Sequence, residues 1–364
     1  MQKQNYSIQK ILDALKIDSL NEMQLATLDA SERSNDLILL ADTGSGKTLA
    51  FLLCILKSLD ADNPLTQALI IVPSRELAIQ IETVFKTMST GFKVTSCYGG
   101  HLRETEENNL LEAPALIVGT PGRVADHLRR ENIKPDGINT LVLDEFDKSL
   151  ELGFQEEMSN VIGSLKHLKK RILTSATESV DIPAFVGLHE PIRLDFLSGL
   201  KSEALAIQMV KTENRDKLES LFRLICYLGN RSAIVFCNHR DAVERTSAGL
   251  KERGIPNVFY HGALEQPERD SALAKFRNGS SNVLVTTDLA SRGLDIPNIR
   301  YIIHYNLPPN EEVFTHRNGR TARMEASGTA ILMVGPDEYI PAYINTEPLL
   351  IELPAALSLP EKPK

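Results

Sequence analysis

The chain reads as an α/β protein made of two tandem doubly wound parallel sheets. Short, almost wholly apolar runs recur along its length, separated by helix-length amphipathic stretches, which is the order of repeated βαβ units. The runs do not alternate polar with apolar residues, so each is expected to be buried on both faces, as parallel strands are. Size is the third observation. At 364 residues the chain exceeds the ~250–300 at which one hydrophobic core stops growing.

In chain order, residues 6–30 hold two helix-like stretches: Ile8, Ile11, Leu12 and Leu15 fall on one helical face, and the segment 23–28 follows. The first set of strands is expected at 37–40, 68–72, 115–118, 140–143 and 171–174, with 191–196 as a last one. The second set falls at 232–236, 257–260, 282–285, 301–304 and 329–334, and stretches such as 76–88, 155–168 and 240–253 have helix length. Residues 1–197 are therefore the expected first domain, 198–205 a linker, and 206–340 the second domain. Beyond Gly335 lie six of the 18 prolines, so the tail 341–364 is expected to be irregular.

Composition narrows the function classes. A formal charge of −8 argues against broad electrostatic adhesion to nucleic acid, while leaving room for a locally positive groove. No apolar run approaches the ~20 residues of a membrane helix, and the first six residues contain no signal-like apolar stretch. Cys54, Cys97, Cys226 and Cys237 lie far apart with no C-x-x-C pair, as expected of reduced thiols in a cytoplasmic protein.

The chemistry begins at Ala41-Asp42-Thr43-Gly44-Ser45-Gly46-Lys47-Thr48, between an apolar run and a helix-like one. A strand, a Gly-rich loop and a helix start in that order form a phosphate cradle, because the glycines let backbone N–H groups turn toward an anion and the helix start adds partial positive charge. Lys47 would reach the β- and γ-phosphates and Thr48 would ligand magnesium. About a hundred residues later an apolar strand ends in Asp144-Glu145-Phe146-Asp147. Adjacent carboxylates at a strand end suit Asp144 to the metal and Glu145 to polarising an attacking water. The other polar clusters also follow apolar runs, and in open parallel sheets ligands sit beyond those strand ends. Loops of both halves are thus expected to line one cleft.

These motifs, with Pro-Ser-Arg-Glu-Leu-Ala at 73–78, Gly99-Gly100, Thr-Pro-Gly-Arg at 120–123, Ser-Ala-Thr at 175–177, Thr-Thr-Asp-Leu-Ala-Ser-Arg-Gly-Leu-Asp at 286–295 and His-Arg-Asn-Gly-Arg-Thr-Ala-Arg at 316–323, make the chain resemble the DEAD-box ATP-dependent RNA helicases. The resemblance spans residues ~20–325 in the family's order and implies two RecA-like domains, ATP and magnesium as cofactors, RNA as partner, and local unwinding of short duplexes or remodelling of RNA–protein particles. It further implies that Gln24 reads adenine, with Tyr6 stacking on the base, that Asp295 binds the ribose, and that Arg320 and Arg323 act as arginine fingers from a helix starting near Gly319. Ser175 and Thr177 would link Asp147 and the acidic motif to His316. Backbone RNA contacts are implied for Arg75, Gly99, Gly100, Thr120 and Arg123 in the first domain, and for His239, Gly262, Gln266, Arg269 and Thr286 in the second.

Three residues depart from the family pattern: Phe146 where Ala is usual, Asn318 where an apolar residue is usual, and Ala322 where Gly is usual. Two rival functions stand beside unwinding: an ATP-gated RNA clamp, and a DNA translocase, which Gln24 and the acidic motif disfavour. Protein partners are possible, and a monomer is expected.

Overall fold

The computed structural model describes residues 7–42, 44–100, 103–177, 182–197, 205–288, 299–319, 328–344, 346–354 and 357–360. The chain divides into two compact units, Met1–Ser198 and Gly199–Lys364. The expected linker falls almost wholly outside the described residues.

The first unit carries strands β1 (Asp36–Ala41), β2 (Ala68–Ile71), β3 (Val94–Cys97), β4 (Leu116–Gly119), β5 (Thr140–Leu143), β6 (Lys170–Ser175) and β7 (Ile192–Phe196). They pair in the order β3-β4-β2-β5-β6-β1-β7, every pair parallel. Helices α1 (Ile8–Leu15), α2 (Glu22–Arg33), α3 (Lys47–Ser58), α4 (Arg75–Thr87), α5 (Arg103–Leu110), α6 (Pro121–Arg129), α7 (Phe146–Glu151) and α8 (Gln155–Ser164) precede and connect them. The period of two decides which core each strand residue joins. Ile70, Val118 and Val142 pack with Phe51, Leu52 and Ile55 of α3, whereas Leu69, Ile71, Leu141 and Leu143 pack on the other face with Met158 and Val161 of α8. Both faces of the sheet are covered, which is why its strands are apolar throughout.

The second unit repeats the plan. Strands β8 (Leu205–Lys211), β9 (Ala233–Phe236), β10 (Val258–Tyr260), β11 (Val283–Thr286), β12 (Tyr301–His304), β13 (Gly328–Val334) and β14 (Leu349–Leu350) pair as β10-β11-β9-β12-β13-β8-β14. Raising each strand number of the first sheet by seven gives this order. Its described helices are α9 (Leu218–Leu228), α10 (Arg240–Glu252), α11 (Gln266–Arg277) and α12 (Glu311–Asn318). One core gathers Leu221, Ile225, Val235 and Ile303, and another on the opposite face gathers Ile234, Tyr260, Phe276 and Ile302.

The structure differs from the expected elements in two places. β3 and β8 form although Ser96 and Gln208 interrupt their apolar character. Part of the Pro-rich tail is ordered: Leu349 and Leu350 add a strand to β8, Ile351, Leu353 and Leu357 pack against the second unit's core, and Arg223 donates to the carbonyls of Leu353 and Pro354 at 3.2 and 2.9 Å. Helix α12 ends with Gly319 as its cap, and the helix expected to begin near that residue lies outside the described residues.

Candidate active site

In the first unit the chain leaves β1 at Ala41 and enters α3 at Lys47 through a loop with Gly44 at φ +85° and Gly46 at φ +92°. Both angles favour glycine, and a Cβ at Gly46 would also lie 2.5 Å from Gln24 Nε2. Thr43 lies outside the described residues. The buried Lys47 ammonium donates to the carbonyls of Ala41 and Asp42, the latter at 3.1 Å. Burial pushes it below the ordinary lysine range, opposed by the charges of Asp144, Glu145, Asp147 and Asp42. The loop's Ser45 hydroxyl oxygen is buried with no hydrogen-bond partner among the described residues.

Gln24 lies in the first turn of α2 and ties that helix to the loop. Its Oε1 accepts from Asn21 N–H at 3.0 Å while its own N–H donates to Asn21 Oδ1 at 2.9 Å, a capping box. Its Nε2 donates to the carbonyl of Gly46 at 3.2 Å. Both ends of the amide expected to read a base thus already hold protein atoms, and Gln24 ties α2 to the phosphate loop.

Asp144 follows β5 and is 3% exposed. Burial raises its pKa, opposed first by a hydrogen bond from Thr174 and then by the Lys47 charge. Glu145 adopts φ +48° and ψ +50° and caps α7, a left-handed turn unusual for a residue with a side chain. Phe146 is fully buried among Leu143, Leu173 and Val186. The ring that replaces the small family residue therefore adds to the core on the far side of the turn. Asp147 Oδ2 accepts from the Thr177 hydroxyl at 3.1 Å, and Ser175 Oγ bonds both to the Thr177 carbonyl at 2.9 Å and to its N–H at 3.0 Å. The acidic motif and the Ser-Ala-Thr turn, expected to communicate, are in contact.

A second set of loops lies beyond β3 and β4. Gly100 has φ +95°, Thr120 caps α6, and the Arg75 guanidinium lies 4.9 Å over the Tyr98 ring. Arg123 pairs with Glu106 at 2.7 Å. Glu106 is itself buried, accepting from Tyr98 N–H at 2.7 Å and from His127 Nε2 at 2.6 Å. No motif drew attention to Glu106, yet it binds the Gly99-Gly100 loop to the Thr-Pro-Gly-Arg helix.

In the second unit His239 caps α10 and is exposed. Gly262 precedes α11, where Gln266 donates to Asp270 at 2.8 Å and Arg269 to the Tyr260 hydroxyl at 2.8 Å. Thr286 is fully buried with its hydroxyl on the Tyr260 carbonyl at 2.8 Å, so any ligand contact of this residue runs through its backbone. His316 lies 3.7 Å from Glu312. Asp295, Ala322, Arg320 and Arg323 fall outside the described residues. Sequence reasoning passed over Arg317, which is 1% exposed and bonded to Asp288, Asn306 and Asn238. Asn318, the second departure, is buried too, and its Oδ1 accepts from His304 Nε2 at 3.1 Å.

A parallel sheet with a phosphate loop after its first strand and paired acids after its fifth defines a P-loop nucleotide hydrolase. Residues 21–183 match the DEAD/DEAH box helicase family and residues 216–325 the helicase conserved C-terminal domain. The chain is 36% identical to the ATP-dependent RNA helicase DbpA of Escherichia coli over 361 residues, 96% of this chain and 79% of that protein. It is 34% identical to the ATP-dependent RNA helicase eIF4A of Emericella nidulans over 316 residues, 84% of this chain and 78% of that one. Among solved structures it resembles S. cerevisiae Dbp5 bound to RNA and ADP BeF3, with a TM-score of 0.80 at 27% identity over 92% of this chain and 89% of the other. The chain belongs to the DEAD/DEAH box helicase family.

Proposed function

We propose that this chain is an RNA-stimulated ATP hydrolase that couples ATP turnover to local separation of short RNA duplexes or to remodelling of RNA–protein particles. The observation that carries the reading is the grouping at the strand ends of the first sheet. A lysine in the phosphate loop, a buried aspartate and a left-handed glutamate share one edge, and Asp147 joins them to the Thr177 turn at 3.1 Å. The relatives' names and the RNA- and nucleotide-bound Dbp5 structure support it.

The residues fit a magnesium–nucleotide. Their donors are hard oxygens, as magnesium prefers, and the Ser45 hydroxyl, without a hydrogen-bond partner among the described residues, is a buried polar atom suited to a ligand. Thr48 and Asp144 would hold the ion, which when bound neutralises charge on the phosphates. Lys47 would exchange its loop carbonyls for phosphate oxygens, a change that burial of its charge makes favourable. Glu145 would orient and polarise the attacking water. Gln24 would favour adenine through its link to the loop, Asp295 would bind the ribose, and Arg320 and Arg323 would complete the charge around the γ-phosphate from the second unit. Ser175, Thr177 and His316 would carry the state of the acidic motif to that unit. RNA would lie along its backbone against Arg75, Gly99, Gly100, Thr120 and Arg123, then His239, Gly262, Gln266, Arg269 and the backbone of Thr286. A soluble, cytoplasmic monomer fits this reading.

The test is ATP hydrolysis with and without RNA, in the wild type and in Glu145→Gln. RNA should stimulate the wild type, and the substitution should lower turnover by roughly 10²–10⁴-fold while nucleotide still binds. Stimulation by DNA but not RNA would overturn the assignment. RNA held tightly with ATP, without strand separation, would replace unwinding by clamping.

A further inference from the structure

Thr174 lies in β6, one residue before the Ser-Ala-Thr turn, and belongs to none of the motifs that carry the nucleotide chemistry. It is completely buried. Its hydroxyl donates to Asp144 Oδ1 and accepts from the Glu145 N–H at 3.2 Å. A hydroxyl has one proton to give and lone pairs to receive, and both capacities are used here on two consecutive residues of the acidic motif, 30 positions away in sequence.

The backbone shows why a side chain is needed there. The ladder between β5 and β6 ends at the pair Leu143↔Leu173. On the β2 side the Asp144 N–H still reaches the carbonyl of Ile71 at 3.0 Å. On the β6 side the chain turns away, because Glu145 is left-handed, a conformation that a non-glycine residue adopts only at a cost. The Thr174 hydroxyl takes the N–H that the departing strand no longer offers to a carbonyl, and in the same place restrains the rotation of the Asp144 carboxylate.

We propose that Thr174 is a positioning residue of the ATP site, its hydroxyl aiming the Asp144 carboxylate at the magnesium–nucleotide and holding the Glu145 peptide in the turn that presents its side chain. The inference rests on the proposed function and deepens it. Thr174 acts through Asp144 and Glu145, which its hydroxyl holds, as outer partners of metal ligands do elsewhere, where their loss costs about 10–100-fold in metal affinity or activity.

The experiment measures equilibrium binding of a fluorescent ATP analogue to the full chain, with magnesium and with chelator, for the wild type, Thr174→Val and Thr174→Ser. Valine keeps the shape and loses the hydroxyl; serine keeps the hydroxyl and loses the methyl. Thr174→Val should lose about tenfold or more of the affinity gained on adding magnesium while binding in chelator is unchanged, and Thr174→Ser should restore the gain. Wild-type gain in Thr174→Val, or equal losses in the two variants, would overturn the role of the hydroxyl. If Thr174→Val does not fold, Ser against Thr174→Ala decides, since only Ser keeps the hydroxyl and equal gains would overturn the proposal. A wild type that gains nothing from magnesium would overturn the proposed function itself, an outcome distinct from a wild type that gains and a Thr174→Val that gains equally.

Discussion

The two sheets share one strand order, yet the charges buried at Lys47 and Asp144 in one and at Arg317 in the other are held in opposite ways. Around the first sheet, Lys47 and Asp144 are buried and each is shifted by desolvation against its charged form. Around the second, Arg317 is just as deeply buried but meets a partner on every side: the Asp288 carboxylate at two points, the Asn306 carbonyl at 2.8 Å, the Asn238 amide oxygen at 2.8 Å and the Phe236 ring at 5.1 Å. Buried charge costs free energy unless it is paired and hydrogen-bonded. At Lys47 and Asp144 that cost is only partly met, and a bound ligand would lower it under the proposed function; at Arg317 it is met internally. One frame therefore carries the proposed site in one unit and a structural charge cluster in the other.

The largest effect that could break this contrast is the loss of the Arg317 partner. Asp288→Ala leaves a guanidinium buried without its counter-charge, and the second unit should lose about 3–5 kcal/mol, seen as a collapse of hydrogen-exchange protection in β9 and β12. Unchanged protection would mean that Arg317 is not the keystone its contacts describe.

A smaller effect lies beside it. His304 packs between Phe236 and Phe314, and burial, then the Arg317 charge, holds its pKa down at about 3 from 6.5. Above 6.5 the imidazole is neutral in the folded and the unfolded chain alike. Below it the unfolded chain takes up a proton that the folded chain refuses, so stability is lost as pH falls from 6.5 toward 3. The drop in unfolding midpoint between about pH 7 and about pH 4 should shrink in His304→Asn. An equal drop in both proteins would place the sensitivity elsewhere.

The smallest effect on stability is expected in the working site. Because burial disfavours the Asp144 charge, Asp144→Asn should leave denaturant stability equal or slightly raised while magnesium-dependent nucleotide binding falls sharply. Destabilisation comparable to that of Asp288→Ala would erase the distinction between the two units.

How much of this was legible in the sequence follows from the kind of signal each part leaves. Strands such as β2, β4 and β5 are buried on both faces and read as unbroken apolar runs. β3 escapes because Thr95 and Ser96 interrupt it at the sheet's edge, and β14 because two residues set no period. The phosphate loop and the paired acids are local patterns and could be read directly. Thr174, Glu106 and Asp288 could not. Each acts on a residue about 20 to 30 positions away, and a single threonine or acid carries no mark of its distant partner. Arg317 stood inside a quoted motif, but its neighbours' expected duties hid its own.

The short strand β14 has a consequence for the order in which the chain is made. β8 is the first strand of the second unit to emerge during synthesis, but its partners are Gly328–Val334 on one side and Leu349–Leu350 on the other. At about 5–20 residues per second, β8 waits on the order of ten seconds for its neighbours. Until Leu349 and Leu350 are in place and the Ile351 N–H reaches the Met209 carbonyl at 2.8 Å, one strand edge stays open to pairing with another chain. Once they are in place the border of the sheet is a strand of only two residues, and so short an edge offers another chain little to pair with.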